Sequence, residues 1–74
     1  MTNIMLYKEL FKVKGWDEDR WGNLKLNDFR LKFQKISLRF EHKVGKRWFK
    51  ITSQYYTRID TDFINRIDDR VKKG

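Results

Sequence analysis

The chain has 74 residues, of which 39% are hydrophobic and none is cysteine, so its composition excludes a disordered chain, a disulfide framework and a thiolate metal site. Its length predicts one small domain over residues 1–74. Because no apolar run is long enough for a signal peptide or a membrane span, the sequence predicts a cytoplasmic protein without membrane contact.

The net charge of +8 arises from 18 Lys and Arg against 10 Asp and Glu, and it is concentrated in the middle of the chain. Residues 1–24 and 59–74 are each balanced in charge, whereas residues 25–58 contain only Asp28 and Glu41 as acids. A cationic field of this strength on so small a protein indicates an acidic partner. Nucleic acid is the leading candidate, and an acidic host protein is the alternative.

The first predicted element is a short helix with Thr2 or Asn3 as its N-cap and Gly15 as its stop. A strand over residues 10–14 is the alternative for its second half. Residues 15–23 contain two glycines and an acidic cluster, so they predict a loop pinned by two tryptophans. The tryptophans, expected as core or anchoring groups, are Trp16 and Trp21. The apolar residues whose spacing predicts the N-terminal helix are Ile4, Leu6, Tyr7, Leu10 and Phe11.

Alternation of apolar and polar residues over 24–33 and 36–40 predicts β-strands. A helix over the same residues would place Leu31 and Leu38 on its solvent-facing side, which would waste two large apolar groups. The parity of the alternation changes between the two runs. Two separate strands, or one strand with a bulge near Gln34, both explain that change.

A hairpin is predicted for the next part of the chain. The glycine-containing segment 43–46 supplies a turn between residues 36–42 and 47–52, and both flanking segments have strand-like alternation. These residues therefore predict a β-hairpin.

A C-terminal helix is predicted from the spacing of its apolar residues, with Ser53 or Asp60 as its N-cap. Phe63 is expected to pack on the apolar face of the sheet, together with the residues one and two turns later. The stripe with four-residue spacing consists of Ile59, Phe63, Ile67 and Val71. The predicted fold is α+β: a short N-terminal helix, a two- or three-stranded antiparallel sheet, and a C-terminal helix packed on one face of the sheet.

No residue pattern in the sequence predicts catalysis. His42 is the sole histidine, and one histidine without cysteine does not build a typical zinc site or a thiol dyad. The acidic clusters at 17–19 and 68–69 lack an accompanying glycine-rich phosphate loop, so they are interpreted as solvated or helix-end charges. We therefore expect a protein that is not an enzyme and that needs no cofactor or metal.

Strand alternation predicts a basic sheet face opposite the core. The side chains expected in the core are Phe29, Leu31, Phe33, Ile36, Leu38, Phe40, Phe49 and Ile51. The opposite face is expected to hold Arg30, Lys32, Ser37, Arg39, Trp48, Lys50 and Thr52. Lys and Arg can contact phosphates and an exposed Trp can stack on a base, so this combination is typical of nucleic-acid binding. An ordinary solvated sheet face is the plain alternative.

The predicted nucleic-acid-binding residues add the hairpin turn to this face. They are Arg30, Lys32, Arg39, Lys43, Lys46, Arg47, Trp48 and Lys50. A basic three-stranded sheet followed by a C-terminal helix, over residues 24–73, resembles in architecture the amino-terminal arm-binding domains of tyrosine recombinases, which lay a sheet in the DNA major groove. No sequence motif carries this resemblance, so it transfers no residue roles. The aromatic signature of RNA-recognition domains is absent from residues 46–50.

The functional hypothesis is a nucleic-acid-binding module of a bacterium or mobile element, with DNA favoured over RNA and a regulatory or architectural role. One alternative is a small phage-type inhibitor or adaptor that docks on an acidic surface, or in the nucleic-acid channel, of a host protein. Another is a structural subunit that uses its aromatic residues at an interface. The sequence leaves the oligomeric state open.

Overall fold

A computed structural model describes residues 4–73, which form two α-helices and one antiparallel sheet of five strands. The elements are α1 (Ile4–Val13), β1 (Asp17–Glu18), β2 (Leu24–Leu26), β3 (Phe29–Phe33), β4 (Ser37–Val44), β5 (Arg47–Tyr55), a 3-10 turn (Tyr56–Arg58) and α2 (Thr61–Lys73). Neighbours in the sheet are neighbours in the chain, so β1 and β5 are its edges. The α+β class with a helix at each end is confirmed, whereas the prediction of two or three strands was wrong.

The first helix ends where the sequence predicts. Gly15 has φ +106°, a left-handed conformation that favours glycine, and its N–H donates to the Lys12 carbonyl at 3.0 Å. The expected caps Thr2 and Asn3 lie outside the described residues. Trp16 is buried and meets Phe11 edge to face at 5.8 Å. Trp21, in the turn between β1 and β2, is not buried in this way and is 72% exposed.

Two of the five strands were not predicted from the sequence. β1 is only two exposed acidic residues long and so carries no apolar alternation. The segment 24–33 is a hairpin rather than one strand, because Leu26 pairs directly with Phe29 across a two-residue turn. Asn27 in that turn has φ +55°, a conformation that Asn tolerates better than most residues. The Asn-Asp pair between runs of opposite parity was the signal for this turn.

Between β3 and β4 the chain bends instead of continuing as one bulged strand. The Gln34 N–H donates to the Ser37 carbonyl at 3.0 Å and closes the bend. The prediction that Ile36 belongs to the core was wrong, because Ile36 lies in this bend and is 61% exposed. The core alternation therefore starts at Leu38, which is fully buried.

The predicted hairpin of β4 and β5 is present and longer than expected. Val44 pairs with Arg47 across the turn, where Gly45 has φ +64°. The register shifts once along this pair: Glu41 faces Lys50 but Phe40 faces Thr52, so the intervening residue of β5 forms a β-bulge. The bulge turns Thr52 to the side of Phe40, away from the basic face on which the sequence had placed it.

One core cluster holds the elements together. Buried residues from both helices and three strands contribute to it: Phe11, Trp16, Leu24, Phe29, Leu31, Leu38, Phe40, Tyr56, Ile64, Ile67 and Val71. The Phe63 N–H donates to Asp60 Oδ1 at 2.9 Å, which makes Asp60 the N-cap of α2. Phe63 itself is only partly buried, and Ile64 occupies the core position instead. Helix α2 thus packs on one face of the sheet as predicted.

Phe49 and Ile51 depart from the predicted core. Phe49 pairs with His42 on the helix-bearing side of the sheet, as the alternation indicates. The helices nevertheless leave both residues largely uncovered, with Phe49 50% and Ile51 37% exposed. The apolar side of β5 is therefore a surface.

Candidate nucleic-acid interface

Both helices pack on the same side of the sheet, because their buried residues share one cluster with Leu24, Leu31 and Phe40, which are aligned across β2, β3 and β4. The opposite side has no helix over it among the described residues. We call it the open face. Its side chains, assigned from the strand register, are Asp17, Lys25, Arg30, Lys32, Ser37, Arg39, Glu41, Lys43, Trp48, Lys50, Ser53 and Tyr55.

The centre of the open face is organised by one buried carboxylate. Glu41 is 3% exposed. Arg30 donates from Nε to Glu41 Oε1 at 2.7 Å and also places Nη2 against the same oxygen. Arg39 Nε lies 2.9 Å from Oε2, an ion-pair distance at which its N–H is misaligned for a hydrogen bond. Burial of a carboxylate is costly unless it is paired, and Glu41 is paired with both guanidinium groups.

Trp48 lies over the same centre. It starts on β5, yet the Arg30 Cζ atom on β3 is 4.3 Å from its ring centroid, and Lys25 Nζ on β2 is 5.9 Å away. The ring therefore reaches across β4 and makes a cation–π contact with the Arg30 guanidinium; Arg is the commonest cation in such contacts and Trp is the ring that binds it best. Trp48 is half-buried, as the alternation indicates. The cations over the ring belong to Arg30 and Lys25.

The other predicted site residues divide into two groups. Lys32, Lys43 and Lys50 lie on the open face, and the described part of the chain gives none of them an ion-pair partner. Lys46 lies in the hairpin turn. Arg47 is opposite Val44 and so faces the helix-bearing side at the tip of the hairpin. The structure thus places six of the eight predicted residues on one side of the sheet, whereas Lys46 lies in the turn and Arg47 faces the other side.

Lys25 was not among the predicted site residues, and Arg30 differs from its predicted role as a cation that contacts the ligand. The pattern Leu24-Lys25-Leu26 was a sufficient signal for Lys25, since period-two alternation places the middle residue opposite its apolar neighbours. The pairing of Arg30 with Glu41 had no comparable signal. Arg30 uses its donors on that carboxylate and its flat face on Trp48, so it positions the ring rather than offering a free cation.

The remaining polar clusters have structural partners. Glu18 contacts Lys12 Nζ at 2.8 Å and Lys8 Nζ at 3.3 Å. The hydrogen bond from Lys12 lowers the pKa of the Glu18 carboxyl, so its contribution to stability is present above its ordinary pKa and is lost as the pH falls through the lowered one. Asp68 lies 2.9 Å from Lys72 Nζ, and this hydrogen bond raises the pKa of Lys72.

Metal ligands do not assemble within residues 4–73, where no group of three or more His, Cys, Asp or Glu side chains could hold an ion. The His42 ring is half-buried and stacks on Phe29 at a centroid distance of 4.4 Å. Asp19 serves its own loop, since its Oδ1 accepts from the Trp21 and Asn23 N–H groups at 2.9 Å each.

Neither helix within residues 4–73 is long and apolar enough to cross a membrane.

The architectural resemblance to recombinase arm-binding domains stays a prediction. Comparison with protein-family models, with curated proteins and with solved structures finds no match to this chain.

Proposed function

We propose that this protein binds nucleic acid, DNA in preference to RNA, on the open face of its sheet. The proposal includes the regulatory or architectural role and the cytoplasmic location expected from the sequence, and it involves no catalytic step. The observation that carries it is the half-buried Trp48 set among basic side chains, with the one central carboxylate, Glu41, buried beneath two arginines.

Electrostatics support this proposal. Lys43 and Lys50 are exposed, whereas Glu41 is 3% exposed, so a ligand approaching the centre of the open face meets ammonium groups before it meets the carboxylate. Asp17 lies at the far β1 edge of the face. Phosphate groups would displace counterions from the lysines, which is the main source of affinity for a basic surface of this kind.

The width of the face favours a single strand over a duplex. The basic side chains extend from Lys25 on β2 to Lys50 on β5, which is three strand spacings or about 14 Å. The major groove of B-DNA is about 12 Å wide and admits a two-stranded ribbon, so this face is too wide to enter it flat. A single strand can lie across the sheet, with a base on Trp48 and its phosphates on the flanking lysines.

The direct test is fluorescence anisotropy with three labelled 20-nucleotide probes of one sequence: single-stranded DNA, duplex DNA and RNA. Single-stranded DNA should bind most tightly. With phosphate contacts from Lys25, Lys32, Lys43 and Lys50, its log affinity should fall against log salt concentration with a slope of about −3. A flat salt response, or no binding to any probe at about 50 mM salt, overturns the proposal and leaves an acidic protein surface as the partner.

Single substitutions separate a shaped site from diffuse charge. Trp48→Ala should weaken single-strand binding about 5- to 100-fold, and Lys50→Ala should reduce the salt slope by about 0.7. Lys73→Ala is the matched control, because it removes the same charge from α2 on the other side of the sheet. Equal losses in Lys50→Ala and Lys73→Ala would contradict a site on the open face. Circular dichroism melts establish that each variant is folded.

A further inference from the structure

A groove lies on the helix-bearing side of the molecule, between β5 and α2. Its volume is about 610 Å³, and the bottom is apolar, with Ile51 from the bulge facing Phe63 and Ile67 of the helix. The rim carries cations of α2, namely Arg66, Arg70 and Lys73, and one carboxylate, Asp69. Such a groove fits a ligand with apolar groups between acidic ones.

The strand beside this groove has a free backbone edge. β5 is nine residues long and pairs only with β4 within the described residues. It contains no proline, and its apolar members Phe49 and Ile51 are exposed. An edge strand of this length presents a row of N–H and C=O groups to which another strand can bind.

The groove and the free edge belong to one surface, because Ile51 and Thr52 of β5 line the groove. A strand added to β5 would lie about 4.8 Å from it, and every second side chain would point to the helix-bearing side. The groove-lining part of α2, from Phe63 to Lys73, is about 15 Å long, which matches four to five residues of an added strand. Two or three side chains of such a strand could therefore enter the groove.

We propose that β5 and α2 form a docking site for an extended, acidic segment of another protein. The segment adds to the sheet as a sixth strand, its apolar side chains contact Ile51 and Phe63, and its carboxylates pair with Arg66 and Arg70. Charge decides the occupant: a second copy of this chain would bring another +8 and the same cationic rim to the contact. The site is on the side of the sheet opposite the open face, so either proposal can fail alone.

The test uses the isotope-labelled protein and two synthetic nine-residue peptides. One has the pattern Val-Thr-Glu-Thr-Val-Thr-Glu-Thr-Val, in which one face of the extended strand carries both Val and Glu, and the other has Lys in place of each Glu. The acidic peptide should shift the amide resonances of β5 and α2, slow hydrogen exchange along β5, and bind at least twentyfold more tightly than the basic peptide. The proposal is overturned if the two peptides bind equally, if neither binds, or if the shifts lie on the open face. Concentration-dependent shifts of β5 without peptide would assign the edge to a second copy and overturn it too.

Substitutions locate the site. Arg70→Glu should lower the affinity for the acidic peptide at least tenfold. Arg20→Glu makes an equal charge change at an exposed position in the β1–β2 turn and should change this affinity less than twofold. Ile51→Thr keeps a residue suited to strands but removes apolar surface from the bottom of the groove. It should lower the affinity for the acidic peptide about five- to tenfold and leave single-stranded DNA binding unchanged. Equal effects of Arg70→Glu and Arg20→Glu would refute docking in the groove.

Discussion

Replacing Glu41 by Gln tests whether a buried carboxylate holds the basic face together. The amide keeps the shape of the side chain but offers one oxygen and one NH₂ group. If the oxygen stays with Arg30, its charge-assisted bond weakens by about 1 kcal/mol, and the NH₂ group then faces Arg39. The Arg39 side chain of that ion pair is 37% exposed but its Glu41 partner is only 4% exposed, so loss of the pair costs about 1 kcal/mol more. The free energy of unfolding should therefore fall by about 2 kcal/mol.

A loss of about 2 kcal/mol lowers the Tm of a domain of this size by about 8 to 16 °C, which a circular dichroism melt resolves. Glu9→Gln is the matched control, because it removes the same charge from a side chain that is 67% exposed and has one ion-pair contact, 3.6 Å from Lys12. Its Tm should change by less than about 4 °C. If both variants melt together, Glu41 does not hold the two arginines and the account of the open face is refuted.

Three further predictions concern the fold. Asp60→Ala removes the N-cap of α2 and should lower the free energy of unfolding in urea by about 1 kcal/mol; no change would show that the 2.9 Å bond to the Phe63 N–H contributes nothing. Ile67→Ala should lower the free energy of unfolding by about 2 to 5 kcal/mol because Ile67 is 2% exposed. Phe63→Ala should lower it less because Phe63 is only half-buried; the reverse order would contradict the observed core. Burial raises the pKa of Tyr56 to about 12, whereas an unfolded Tyr titrates near 10, so its contribution is complete below pH 10 and is lost as the pH rises through 12. Tyr56→Phe should flatten the fall of stability between pH 10 and 12, and a curve parallel to that of the unmodified protein would refute the burial of this hydroxyl.

The local elements could be predicted because each has a short-range signal. Asp60 followed by apolar residues at helical spacing marks the start of α2, and Gly45 marks the turn of the β4–β5 hairpin. The Asn27 turn also had such a signal, but its two flanking runs were interpreted as one strand. β1 had none, because an exposed two-residue strand forms only where β2 is already in place to pair with it.

Alternation along the strands determined by itself that Arg30, Lys32, Arg39, Trp48 and Lys50 share one side of the sheet, because successive side chains of a strand point to opposite faces. The tertiary structure alone decided what those side chains do there. Cross-strand register places Glu41 beside Arg30, and the β5 bulge moves the side chain after Ile51 to the other face. The position of α2 leaves the apolar side of β5 uncovered and so creates the groove. A pattern with a period of two limits the register to pairings that keep the apolar residues on one face, but the exact cross-strand partners and the position of a helix depend on packing between residues far apart in the chain.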